Sequence, residues 1–161
     1  MADHDNPYQK KFLVVVDESP DCDRAVTFAA HRVKRTGGTV VLLSVIEPPE
    51  FQSWMGVEDV LRAEARDKAE DLLDARIARI TKIGSIRTET TIREGRPAEE
   101  IEKQIADDPN IAILVLAASS TGEGAGPLVS AFANRSAATA LPVLITIVPA
   151  QMTDEQIVGI S

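Results

Sequence analysis

A single cysteine, Cys22, rules out an internal disulfide and any metal cluster built on thiolates. Long apolar runs are missing too. The longest, Ile111 to Ala118, is far too short to cross a bilayer. The opening stretch MADHDNPYQKK lacks the apolar centre of a signal peptide, so a cytoplasmic protein is the simplest expectation. Positive charge is in deficit: 17 Lys and Arg face 25 Asp and Glu, a formal net charge of −8. No basic stripe offsets that excess, so neither nucleic acid nor a membrane surface is an expected partner. An anionic ligand would have to rely on backbone dipoles or a bound cation. His4 and His31 cannot assemble a triad or a metal site with any residue in evidence. A Walker A pattern, a nucleophile elbow and HExxH are all absent, so binding is expected rather than dedicated catalysis.

What remains is 161 residues with 44% hydrophobic content, enough for one domain with a sizeable core. KFLVVV (11–16) and TVVLLSVI (39–46) are short, apolar and β-branched, as strands buried on both faces are. Between them Pro20 and Asp21 open a helix carrying Ala25, Phe28, Ala29 and Val33 on one side, and TGG at 36–38 ends it. A long helix is expected from about Glu58 to Ile83, with Leu61, Ala65, Ala69, Leu72, Leu73, Ile77 and Ile80 on one face. IRTETTIR (86–93) alternates with charges on one side, which predicts a half-exposed edge strand. Pro97, Glu99 and Glu100 suit the start of a third helix. IAILVLA (111–117) is a third fully apolar strand, a helix is expected over about 127–140, and PVLITIVP (142–149) holds the last strand. Thr153 and Gln156 have capping-box spacing in the tail.

The order βαβαβαβαβ predicts an α/β fold: a doubly wound, open five-stranded parallel sheet with helices on both faces. Placing the wholly apolar strands inside and the charged third and last strands outside gives the order 3-2-1-4-5. In such sheets ligands bind beyond the carboxyl ends of the strands where the winding reverses. That point lies between the first and fourth strands, where DESP (17–20) meets the glycine-rich loop 118–130, with Val45 flanking.

KKFLVVVDES followed by RAV, then LLSVIEPP, REGRPAEEI, ILVLAASS and LPVLI, resemble the universal stress protein family in order and spacing over residues 10–149. Residues 1–9 are then a flexible N-terminal segment and 150–161 a C-terminal tail. The resemblance implies a homodimer and, in one branch of the family, binding of ATP with Mg²⁺. In that branch the residues matching Asp17 and Val45 lie by the adenine and ribose. The phosphates rest on a loop of form G-x2-G-x9-G-S/T. Its glycines fall here on Ala118, Thr121 and Val129 and its hydroxyl on Ser130, in a loop two residues shorter than the pattern. A second branch lacks the glycines and does not bind ATP, and this sequence lies between the two.

The loop SSTGEGAGPLVS therefore has two readings. Gly122, Gly124 and Gly126 keep it supple, and the helix starting near Pro127 aims free N–H groups at the crevice, which suits a phosphate. Against this, Val129 crowds the helix start. Glu123 would oppose an anion at about 5 Å by roughly 3 kcal/mol at an effective dielectric of about 20, unless it points outward or helps to hold Mg²⁺. The other reading is a turn. Asp17 either faces the site or bonds the neighbouring amides, and Ser19 is a cap or a contact. Phe51 and Trp54 form a lid or pack on the long helix. Arg93 and Arg96 face solvent unless they approach a phosphate, and Cys22 is a small buried residue or a stabilised thiolate.

VLITIV (143–148) carries no charge yet occupies a sheet edge, which predicts pairing with the same strand of a second copy unless the tail covers it. Three functions compete on these grounds: a dimeric module binding ATP or another adenine nucleotide, a ligand-free stress-response protein acting through its dimer and surface, and a slow ATPase.

Overall fold

The computed structural model describes residues 10–48, 56–122, 124–135 and 141–161. The N-terminal segment 1–9, Phe51, Trp54, Glu123 and the expected helix end at 136–140 lie outside the described residues. Ten elements alternate along the chain. The strands are β1 (Lys11–Val15), β2 (Thr39–Ile46), β3 (Thr88–Glu94), β4 (Ile111–Ala117) and β5 (Leu144–Val148). The helices are α1 (Cys22–Thr36), α2 (Val57–Ile83), α3 (Pro97–Asp107), α4 (Pro127–Arg135) and α5 (Asp154–Ile160). All five strands pair in parallel in the order β3-β2-β1-β4-β5, as strict alternation with right-handed crossovers requires.

The sheet separates two apolar layers. Phe12, Val14 and Val16 of the β1 segment, with Val40 and Leu42, face α1, α2 and α5. Leu13 and Val15, with Val41 and Leu43, face α3 and α4. Strict period-two alternation thus runs through strands whose composition alone cannot tell one face from the other. β4 breaks that period once. Lys11 lies opposite Ile111 but Phe12 opposite Ile113, so one extra residue, Ala112, is accommodated at the foot of the strand. As a result Ile111 joins Leu114 and Leu116 on the α3/α4 side, while Ile113 and Val115 face α1.

One expectation is corrected. Arg93 does not point freely to solvent. Its Nε donates to Glu100 Oε2 at 2.9 Å and its Nη1 to Gln104 Oε1 at 2.9 Å and Asp107 Oδ2 at 3.2 Å, which ties the edge strand β3 to α3. Arg96 alone matches the solvent-facing reading, with a loose pair to Glu99 at 3.7 Å. In the tail, α5 docks on α1, with Ile157 fully buried. Its capping box forms as the spacing predicts, Gln156 N donating to Thr153 Oγ1 at 3.3 Å and Thr153 N to Gln156 Oε1 at 3.0 Å.

Candidate functional site

β1 and β4 lie side by side, and α1 leaves their shared carboxyl end on one face of the sheet while α4 leaves it on the other. This is the reversal point of a doubly wound sheet. A cavity of about 250 Å³ opens there, lined by the strand ends Val15 and Leu116, by Asp17, Ser19 and Asp21 after β1, and by the loop before α4.

Asp17 sits just beyond β1, exposed, and its Oδ1 accepts the Ser19 amide at 2.9 Å. Desolvation in the cavity mouth pushes its carboxyl above the usual carboxylate range, against the smaller pull of the Ser19 amide and of the Arg76 charge. Asp21 lies one turn further on and is buried, with 6% relative exposure. Its Oδ1 accepts Ser120 Oγ at 2.5 Å and Arg24 Nη2 at 2.8 Å, and its Oδ2 accepts the Ser120 amide at 3.1 Å and Ser19 Oγ at 3.1 Å. Four donors hold this carboxyl well below the usual range, chiefly the Ser120 hydroxyl and amide and then the Arg24 guanidinium. Arg24 Nη2 also donates to Ala118 O at 2.9 Å, so the start of α1 and the start of the loop are fastened together twice. Arg24 Nε is buried without a hydrogen-bond partner among the described residues.

The loop closes on itself above this latch. Ser119 N donates to Ala125 O at 2.9 Å and Ser119 Oγ to Thr121 O at 2.6 Å. Gly122, Gly124 and Gly126 all have positive φ. Only Gly126 also needs its missing side chain, since a Cβ there would stand 3.3 Å from Ser119 Cβ at φ +99°.

Of the residues singled out in the sequence, the cavity brings together Asp17, Ser19, Thr121, Gly126 and Val129. Gly122 and Gly124 are exposed on the outer part of the loop, and Ser130 is exposed on α4 with its amide given to Gly126 O. Ala118 is spent on backbone bonding, its amide donating to Val148 O and its carbonyl accepting Arg24. Val45 packs into the α3/α4 layer and does not line the cavity. The sequence reading missed Asp21 as the partner of Ser120, and Arg24 as the partner of Asp21 and Ala118 O. The one local signal was two carboxylates and a serine alternating at 17, 19 and 21. Cys22 is buried, and burial pushes its thiol up, which answers the thiolate question in favour of packing.

A triphosphate does not fit these residues. Val129, buried at 6% exposure, stands where the family resemblance places a glycine of the phosphate-binding pattern, and it lines the cavity together with Leu128. The cavity lining contains two carboxylates and no Lys, Arg or His among the described residues. A larger groove of about 610 Å³ runs between α1, α2 and α5. Its arginines are committed, however: Arg76 Nε lies 3.1 Å from Asp23 Oδ1 as an ion pair without hydrogen-bond alignment, and Arg79 pairs with Asp23 at 3.4 Å. It borders the loop after β1 only through Glu18 and Pro20 and, among the described residues, reaches neither β4 nor the loop that follows it, so the smaller cavity, lined by both loops, is the candidate site. Among the described residues no group of three His, Cys, Asp or Glu is placed to hold a metal ion, and no helix is long and apolar enough to cross a membrane.

Comparison with known proteins agrees with this geometry. The universal stress protein family model matches residues 9–146. UspA from Lactobacillus plantarum superposes with a TM-score of 0.75 at 21% identity, covering 89% of this chain and 99% of that one. A family protein from Arabidopsis thaliana with AMP bound gives 0.60 at 19% identity, covering 91% and 94%. The Archaeoglobus fulgidus protein in complex with dAMP gives 0.55 at 17% identity, covering 88% and 97%. No curated protein sequence matches. At such identities the structures show a shared fold, and the family model, spanning most of the sequence, adds the ancestry: the chain belongs to the universal stress protein family.

Proposed function

We propose that this protein is a binding module that takes an adenine-nucleotide-class ligand in the crevice between β1 and β4 and works as a homodimer through β5. The observation that carries this reading is the cavity at the reversal point, with a free carboxylate, Asp17, at its mouth and a fastened glycine-bearing loop as its roof. Three structures of this fold hold cAMP, AMP or dAMP, which supports this ligand class. Asp17 has one oxygen engaged by the Ser19 amide and one with no partner among the described residues, which suits it to a hydroxyl or amino donor of a sugar or base. Ser19, Thr121 and Gly126 line the walls, and the apolar side chains Val15, Leu116 and Val129 offer a surface for a flat heterocycle. ATP with Mg²⁺, the form the family resemblance implies, is the member of the class these residues accommodate worst.

A second reading, an interaction protein with no small ligand, is favoured by one observation: Leu144 is 70% and Ile147 40% exposed on the unpaired edge strand β5. Mass spectrometry of small molecules released from freshly purified, denatured protein separates the two. The first reading expects an adenine compound approaching one per chain, or a thermal shift on adding AMP that grows with concentration, about 2.7 kcal/mol of stabilisation at a hundredfold excess over Kd. Neither signal, with a dimer intact, leaves the second.

A further inference from the structure

Resting on the adenine part of that reading, we infer that the crevice disfavours phosphate, so that within the adenine class the uncharged nucleoside binds more tightly than its phosphorylated forms. The lining holds two carboxylates: Asp21 is ion-paired with Arg24 at 2.8 Å, whereas Asp17 has no ion-pair partner among the described residues. The nearest guanidinium, Arg24, does not line the cavity and is shared between Asp21 Oδ1 at 2.8 Å and Ala118 O at 2.9 Å. Arg76 approaches from the α2 side, but its Nη2 contacts Ser19 O at 3.4 Å and Cys22 Sγ at 3.2 Å, and its charge pairs with Asp23. A phosphate in this space would meet the uncompensated Asp17 carboxylate, with no Lys, Arg or His in the lining among the described residues.

The positive end of α4 offers only a partial offset: Pro127 has no N–H to donate and the Ser130 amide is given to Gly126 O, which leaves the Leu128 and Val129 amides of the first turn. Size points the same way, because about 250 Å³ falls below the usual 300–1,000 Å³ of ligand pockets and suits a base with its sugar rather than a chain of phosphates. Asp17, already disfavoured as an anion by desolvation, tolerates a neutral hydroxyl donor better than a second negative charge.

The test is calorimetric titration of the wild-type full chain with adenosine, AMP and ATP, the last with and without Mg²⁺, at low ionic strength. Adenosine is expected to bind tightest, AMP about tenfold more weakly and ATP more weakly still, with the adenosine–AMP gap closing as salt is raised. In Asp17→Asn, which keeps the acceptor for the Ser19 amide, the gap is expected to shrink severalfold. AMP or Mg·ATP binding as tightly as adenosine overturns the inference and leaves the adenine-ligand reading standing. An Asp17→Asn gap equal to that of wild type overturns the carboxylate as its cause. Binding of none of the three overturns both the inference and the reading beneath it.

Discussion

A buried carboxylate is costly unless its lone pairs are used, and Asp21 uses them on Ser120, Ser19 and Arg24. Removing it leaves the Arg24 guanidinium with Ala118 O, its Nε having no hydrogen-bond partner among the described residues. Asp21→Ala is therefore expected to destabilise by about 3 kcal/mol and Asp21→Asn by about 1 kcal/mol, measured by urea unfolding at neutral pH. The pH dependence has a definite sign. The folded carboxyl titrates below the unfolded one, so its contribution is full above about pH 4 and is lost as pH falls through the folded value. The difference between wild type and Asp21→Asn should shrink progressively in acid, and a difference that stays constant down to pH 2 would show that the charge is not what matters. None of this is legible in the sequence, because Ser120 stands 99 residues from Asp21 and no local pattern joins them. Read locally, Asp21 is simply a residue that opens a helix. Val45 misleads for a related reason: in an all-apolar strand both faces look alike, and its parity with Val41 and Leu43 turns it to the α3/α4 layer.

At the scale of elements, α5 is informative because at seven residues it is too short to persist alone. Its capping box and the burial of Ile157 against the α1 side of the core hold it. Thr153→Ala is expected to cost about 1 kcal/mol, lowering Tm by roughly 3 °C. An unchanged Tm, with faster amide exchange confined to 154–160, would place α5 outside the cooperative unit. The cap was readable from the Thr153–Gln156 spacing, but the docking site on α1 was not, since a short amphipathic segment fits several surfaces equally well. The strand order was readable because charge distinguishes β3 from the interior strands and prolines bracket the last one. The break in period at the foot of β4 was not, as IAILVLA is apolar in either phase.

For the whole molecule, the formal charge of −8 disfavours close approach of two copies unless an apolar contact outweighs it. The strand edge at β5 offers such a contact, with Leu144 and Ile147 exposed on opposite faces of an unpaired ladder. Light scattering coupled to size exclusion is expected to give twice the chain mass at micromolar concentration, and Ile147→Asp with Leu144→Asp to give the single mass with an unchanged circular dichroism spectrum. A wild-type chain that elutes as a monomer at high concentration would remove β5 as an interface. Geometry at this scale also joins distant parts of the sheet. The direction in which a chain leaves a strand follows from the parity of its last residue, and in β4 that parity is set by where Ala112 is accommodated, at the opposite edge of the sheet. The aim of the loop over the crevice is therefore decided some six residues before the loop begins, and substitutions confined to the glycines can alter its grip but not its heading.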